Sequence, residues 1–575
     1  MRKQTKVVAV ASAAALLAIG ASMTSFAATG WVEEDGQWYF YDKDGNRVED
    51  EWKKSGDNWY WLDSEEGGAM AVDKLIEDDE DYYYVDGNGV MVTNTWVKVV
   101  NEDQDDDDDP AEYHYYYMQS NGKAYKGNGT SVSKKTIDGK RYAFDEDGVM
   151  LYGWVTESGT MANGEDEWSA SDVMYYFGGW EDGSMKTGWQ KITVHDNEDG
   201  KDDDYDYWFN FKSNGHRRAH ANADDTWKSN SRYYHFDERG VMVYQWFETA
   251  TTNSASASNW AYFSSPEDGA RVTKGWFKVV APTEDNSFLE SDVTFAKKDS
   301  DDESERWYYS DSKDNGLVVG EIKKIKGKYY GFWPDDGQKG GRMLVGLCAL
   351  QMNEADGSKI DKVVMDDMDS DDLDDFMDTY GTKSQEDTGI YLYYFGDGED
   401  GSMKTGSVSL NLDGDSYQFQ FKKTGAADSR GRGVNGVDDG KYIYKYGQKV
   451  KADTDDKYTL VYANGNINDS NVVVEDFDNS DIKGIAETFD LAAKKGSDED
   501  NLRGYYGFGT AQEGWYLVNT SGRIQTGTKS GTKDGYDMYW FMYKDNIKFY
   551  ADDKNISDYD ELKGDGWHSY FDNLK

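Results

Sequence analysis

Tryptophan, tyrosine and methionine recur along this chain at spacings able to build sites for a small ligand. Gly-x-Met steps end at Met70, Met91, Met150, Met185, Met242, Met343 and Met403, and each follows a cluster of rings. Rings gathered around a small volume attract a quaternary ammonium by cation–π contact. The same rings can stack on the apolar face of a sugar while Asp or Asn accepts its hydroxyls. A plainer use of these rings is as the hydrophobic core of a narrow fold.

Other chemistry finds little support, and no catalytic residue, metal ligand or cofactor is assigned. There is no Gly-x-Ser-x-Gly elbow, no Gly-rich phosphate loop with Lys and no His-Glu-x-x-His. His216 and His220 stand four apart, but behind an Asn214-Gly215 turn, which puts them on a strand or loop as ordinary surface histidines. Paired carboxylates mean nothing among 111 acids. Glu102 to Asp109 holds seven acids in eight residues and Asp199 to Asp206 is similar, yet neither has the twelve-residue Ca²⁺-loop spacing. These runs read as solvated charge, with weak Ca²⁺ screening that needs no motif. Cys348 is the single cysteine, so neither an intramolecular disulfide nor a four-cysteine zinc site is available.

The elements that position the rings are repeats. Trp31 to Trp52 spans 21 residues, as does Trp38 to Trp59, and YYFGGWEDGSMKTG from Tyr175 matches YYFGDGEDGSMKTG from Tyr393 at 12 of 14 positions. Runs of aromatic and β-branched residues predict strands, with hairpin turns expected at Asp44-Gly45, Asn88-Gly89, Asp147-Gly148 and Asn214-Gly215. Single hairpins are marginal in water, so they must stack, giving an all-β solenoid of stacked hairpin repeats with short helical insertions. Of four prolines, Pro110, Pro266 and Pro282 fall between aromatic clusters, where no ladder donor is lost.

Composition and termini narrow the setting. Residues 1–27 read as a signal peptide: Arg2, Lys3 and Lys6 precede an apolar stretch, and Ser25 and Ala27 mark the cleavage site. The stretch is too short and too interrupted for a transmembrane span, and none is expected in the mature chain. The leader carries those three positive charges and no acid, so its loss takes the formal charge from -49 to -52. Such acidity excludes nucleic acid, whose binding needs clustered Lys and Arg, and disfavours anionic membranes. Aromatics make up 15% of the chain, which excludes simple disorder. The expected organisation is hairpin repeats over 28–347, an acidic insertion at 348–390 and divergent repeats over 391–458. A second acidic insertion follows at 459–502, with a short helix capped by Asp481, then divergent repeats over 503–575. Met365, Met368, Leu373, Phe376 and Met377 give the first insertion a helical pattern.

The string Gly-Trp, then aromatic triplet, then Gly-x-Met-x-Thr-Gly-Trp resembles the cell-wall-binding repeats of Gram-positive bacteria, the choline-binding repeats and the related glucan-binding repeats. The likeness covers most of 30–347 and, more loosely, 391–458 and 503–575. It implies ring cages of Trp38, Trp52 and Tyr60; Tyr83, Trp96 and Tyr116; Tyr175, Trp189 and Trp208; and Tyr233, Trp246 and Tyr262. Where the closing Trp is replaced, as by Leu75, Ile322, Leu347 and Ser407, a cage should be dead. The implied protein is a secreted, non-catalytic cell-surface protein that holds wall teichoic acid, glucan or a peptidoglycan-associated polymer at many weak sites. The alternative is a structural or adhesive stalk with no small ligand.

Overall fold

The structure is a computed structural model describing residues 29–575 except 103, 105–110, 198–200, 221–224, 250–259, 282–303, 312–315, 335–339, 426–428, 479–492, 496–503, 508–512, 556–566 and 571–575. The expected signal peptide, the Asp481-capped helix, Pro110 and Pro282 lie outside the described residues. Two compact units are formed, one from residues 1–245 with 263–271, the other from 246–262 with 272–575. Among the described residues no helix is long and apolar enough to cross a membrane.

Both units are built from antiparallel hairpins, as the aromatic and β-branched runs require. The first pairs Gly30–Glu34 with Gln37–Tyr41, setting Trp31 opposite Phe40 and Glu33 opposite Trp38. The next pairs Glu51–Ser55 with Asn58–Asp63, setting Trp52 opposite Trp61 and Lys54 opposite Trp59. Equivalent hairpins follow at Thr95–Val100 with Tyr113–Met118, Gly188–Asp196 with Asp203–Phe211, and, in the second unit, Gly275–Val280 with Glu305–Asp311.

The register differs from the sequence reading by one strand. Each Gly-Trp tryptophan opens a hairpin instead of closing one, and the tight turn follows it. Asp35 and Gly36 both have positive φ (50° and 85°), as do Asp138 and Gly139 (49° and 80°), the conformation of a two-residue type I′ loop. The Asp-x-x-Gly segments expected to be hairpin turns instead lead from the aromatic strand to a single bridge, such as Tyr41 with Arg47 or Val85 with Met91. Asp42 there accepts the backbone N–H of Asp44 and Asn46 at 2.7 and 2.9 Å, so the side chain shapes a wider turn. The Gly-x-Met step thus forms a short third segment of the repeat.

That segment explains its two named residues. The backbone N–H of Met91, Met150, Met242 and Met343 donates to the carbonyl of Trp59, Tyr115, Trp208 and Trp307 in the preceding hairpin, at 2.8–2.9 Å. Each methionine side chain lies against a glycine of the following repeat: Met70 on Gly89, Met91 on Gly122, Met150 on Gly183, Met185 on Gly215, Met242 on Gly269, Met343 on Gly401 and Met403 on Gly431. A Cβ at those glycines would collide with the methionine, so the pair ties repeat to repeat.

The 348–390 stretch is part of the sheet. Leu347–Met352 is the central strand between Ile360–Met365 and Ile390–Tyr394, and its apolar run LCAL is buried, Cys348 included. Helix α1 (Ser370–Tyr380) follows where the apolar spacing placed one. Its start is capped by Asp369, which accepts the N–H of Asp372, and Leu373 and Phe376 are buried beneath it. The 459–502 stretch also contributes strands: Tyr458–Ala463 pairs with Val474–Phe477 and with Trp515–Asn519.

One core group gives the first unit a pH dependence. His235 is 1% exposed, and burial holds its imidazole down at about 4, against an ordinary value near 6.5. The unfolded chain therefore binds a proton that the fold rejects. His235 contributes full stability above about pH 6.5 and loses it as pH falls toward about 4, by up to about 3 kcal/mol. Unfolding titrations at pH 7 and 5 should show a larger loss for the parent than for His235→Gln; equal slopes would remove His235 as the cause. Asp145, which burial raises to about 6, acts in the opposite direction, so the comparison with the variant isolates the histidine.

Candidate functional site

Opening tryptophans are the centre of each ring group. At Trp31, Trp52, Trp96 and Trp276 the opening Trp meets the ring opposite it across the hairpin and a ring of the following hairpin, whereas Trp189 stands opposite Asn210. Trp31 lies 5.4 Å from Phe40 and 5.3 Å from Tyr60. Trp52 lies 5.3 Å from Trp61 and 5.1 Å from Tyr83. Trp96 lies 5.2 Å from Tyr117 and 4.9 Å from Tyr142, and Trp276 lies 5.0 Å from Tyr309 and 4.8 Å from Tyr330. Most of these contacts are edge-on or tilted, the arrangement ring quadrupoles prefer.

Two residues nearer the turn, on the same strand face, stands a further ring: Trp38, Trp59, Tyr115, Trp208 or Trp307. Trp59 is exposed, and the other four are partly buried. In two groups it is seen at right angles to the opening Trp. Trp189 and Trp208 are 6.3 Å apart at 85°, with Tyr234 of the following hairpin 5.0 Å from Trp189. Trp276 and Trp307 are 6.2 Å apart at 90°. Met242 and Met343 are buried in the same clusters. Perpendicular walls with a third ring and a thioether floor are the geometry that suits a quaternary ammonium.

Not every opening tryptophan has such a mouth. Trp246 and Trp260 are 0% and 1% exposed, and Trp246 is enclosed by Tyr262 and Tyr308 at 5.2 and 5.1 Å, so this group is core. Around Trp154 the outer strand position opposite Thr156 is Val173, and no outer ring is present.

The expected residues are therefore redistributed. Trp38 and Tyr60 belong with Trp31, whereas Trp52 belongs with Tyr83 one hairpin later. Trp96 takes Tyr142; Tyr116 points to the other strand face and is buried 6.4 Å from Tyr82, where burial pushes its hydroxyl up to about 12. Trp189 and Trp208 are brought together, but Tyr175 is not with them: its hydroxyl meets His216 Nε2 at 2.6 Å. Trp246 and Tyr262 are in contact, and Tyr233 lies in the other unit under Lys228. Trp31, Trp59, Tyr115, Tyr142, Tyr234, Trp276, Trp307 and Tyr330 were missed. The two-residue loop Asp35-Gly36 was the signal that assigns each Trp to the strand before the turn.

His216 and His220 are half-buried and not a pair. His220 Nδ1 accepts the backbone N–H of Phe236 at 3.1 Å. Among the described residues no group of three or more His, Cys, Asp or Glu is arranged to hold a metal ion.

Residues 28–74 match the family model for the choline-binding repeat. No curated protein sequence matches the chain. Similar solved structures include the modular autolysin LytC from Streptococcus pneumoniae in complex with synthetic peptidoglycan ligand, at 16% identity over 58% of this chain and 57% of that one, with a TM-score of 0.28. This chain thus spans 57% of the autolysin's length. The choline-binding domain of CbpL from Streptococcus pneumoniae is 22% identical over 43% of this chain and all of that one, with a TM-score of 0.25. CbpJ from Streptococcus pneumoniae TIGR4 is 18% identical over 73% and 99%, with a TM-score of 0.27. The chain carries a choline-binding repeat at 28–74, and the hairpins after it repeat the same pattern.

Proposed function

We propose that this protein holds choline-bearing cell-wall polymer at the outer surface, binding without catalysis through ring cages formed between successive hairpins. One observation supports the reading most. The set of opening Trp, outer ring, Tyr of the next hairpin and Met recurs at Trp31, Trp52, Trp96, Trp189 and Trp276, although the loops between differ. A core needs buried rings only; it does not need the outer ring to stay partly open at each of these positions. Weak sites repeated along one chain gain strength by effective concentration, so a polymer with regularly spaced cations would be held firmly.

Replacing Trp189 by Ala removes the wall shared by the other rings of its cage. The loss at that site is expected to be on the order of 1 to 2 kcal/mol, the value of a desolvated cation–π contact. On choline resin, Trp189→Ala should elute at lower free choline than the parent. Leu75→Ala, which alters an opening position without a Trp, should elute with the parent. Retention of all three chains alike, or of none, would favour a stalk with no small ligand, and stronger retention on glucan resin would favour a sugar.

A further inference from the structure

Three repeats carry a longer turn ending in Glu-Asp-Gly: Glu181-Asp182-Gly183, Glu267-Asp268-Gly269 and Glu399-Asp400-Gly401. Each closes with a backbone bond from the glycine N–H to the carbonyl four residues before, at Gly179, Ser265 and Asp397. The turn of one repeat reaches over the cage made by the two repeats before it. Its glycine seats the methionine of the middle repeat, as Gly269 seats Met242 and Gly401 seats Met343. Its aspartate pairs with the cation at the tip of the middle hairpin: Asp268 with Arg232 at 2.5 Å, Asp400 with Lys328 and Asp182 with Lys140 at 3.1 and 3.2 Å.

In two of the three turns the glutamate goes to the cage mouth. Glu267 Oε2 accepts the indole N–H of Trp208 at 3.0 Å, and Oε1 takes the Lys191 ammonium at 2.8 Å. Glu399 takes Lys278 at 2.9 Å. These lysines stand opposite the outer rings in register, Lys191 across from Trp208 and Lys278 across from Trp307. The Lys278 ammonium is 6.0 Å from the Trp307 ring centre, at the edge of cation–π range. An unbalanced ammonium there would repel a cationic ligand. Asp206 also approaches Lys191, but at 3.6 Å. In the cages at Trp31 and Trp52, the residue two before the seating glycine is Gly87 or Ser120, with no acid.

We infer that Glu267 and Glu399 are specificity residues, an anionic fourth wall that cancels the mouth lysine and makes the cages at Trp189 and Trp276 selective for a cation over a neutral ligand of the same shape. The inference rests on the cage reading above. Both copies arise in separate units from the same turn, which argues for a constraint on the glutamate beyond a solvated surface charge.

The test uses the full chain and two probes of like size, choline and the uncharged 3,3-dimethylbutan-1-ol, in calorimetric titrations at low salt. Glu267→Gln with Glu399→Gln should weaken choline roughly fivefold at those cages, the scale of an exposed charge interaction, and leave the alcohol unchanged. The choline deficit should shrink with added salt. Adding Lys191→Met and Lys278→Met to that chain should restore choline binding. Asp268→Asn with Asp400→Asn loosens the turn without removing the mouth carboxylate, and should keep the parent's preference. Equal choline binding by parent and Glu→Gln chains, or a deficit the lysine changes do not repair, would overturn the inference while leaving the cages standing. A parent that binds neither probe would overturn both.

Discussion

A Gly269→Ala chain is expected to lose about 2 to 4 kcal/mol from the repeats around it, far more than a surface glycine change. Two terms add. Gly269 has φ 59°, where an L side chain costs about 1 to 2 kcal/mol. Its new methyl group would also lie 2.8 Å from Met242 Cγ and closer still to Sδ and Cε, and Met242 is 3% exposed with no room to retreat. Gly188→Ala is the control, since φ there is 73° but no atom lies within 4 Å of the added carbon. It should cost only the backbone term. Met242→Ala alone opens a cavity worth about 2 to 5 kcal/mol. In the double variant Met242→Ala with Gly269→Ala the collision is gone, so the losses should fall well short of additive. Because hairpins in such arrays lean on their neighbours, the loss is best read locally, by hydrogen exchange in the Arg232–Tyr234 strand. Additive losses, or a Gly188→Ala cost equal to that of Gly269→Ala, would mean that the methionine does not lock the glycine.

This lock shows what the sequence made legible and what it hid. The Gly-x-Met rhythm, the ring clusters and the all-β class follow from spacing alone, because a ring pattern repeated in sequence must repeat in space. Register did not follow. Both Asp35-Gly36 and Asp44-Gly45 have turn chemistry, and only the pairing of Trp31 with Phe40 shows which one joins the hairpin. Choosing the second puts each Trp at the end of a hairpin and so assembles Tyr175 with Trp189, rings that the true register separates. Strand parity then decides the rest: Tyr116 and Tyr117 are neighbours in sequence, yet only Tyr117 faces Trp96. The insertions were misread for a related reason. Their Gly-Trp signature is missing, but Leu347–Met352 and Tyr458–Ala463 are central strands that bury adjacent apolar residues, Leu347 to Leu350 and Leu460 with Val461, without alternation. Charge counting failed once more at the foot of the Asp199–Asp206 run, where exposed acids stand a few residues from a buried one.

That buried acid, Asp196, should be the most costly single carboxylate to lose in the first unit. It is 1% exposed, and it accepts Arg239 at 2.9 Å, the Tyr207 hydroxyl at 2.5 Å and Lys201 at 3.3 Å. Arg239 in turn donates to Asp237 at 3.0 Å and lies 5.5 Å over Trp168, whose indole N–H donates to the His195 carbonyl at 2.7 Å. The network therefore fastens the turn end of the acidic Gly188–Asp196 and Asp203–Phe211 hairpin to the helical turn at Glu167–Ser169 and to the turn after Phe236. Burial and the Asp196 charge together hold the Tyr207 hydroxyl well above its ordinary range, so it stays a donor at any working pH. Asp196→Ala leaves two cations and a hydroxyl in low dielectric with one anion removed, and should cost about 3 to 5 kcal/mol in denaturant unfolding. Asp196→Asn keeps the shape but not the charge, and should recover only part of that loss. Arg239→Met in the Asp196→Ala chain should recover part of the stability, because Arg239 then keeps Asp237 but has lost one of the two carboxylates that offset its burial, and that under-compensated charge costs more than the missing bond. Wild-type stability in Asp196→Ala would mean that water reaches the site; an Arg239→Met addition that deepens the loss would mean that the bond of Arg239 to Asp237 and its packing on Trp168 outweigh the charge left by Asp196.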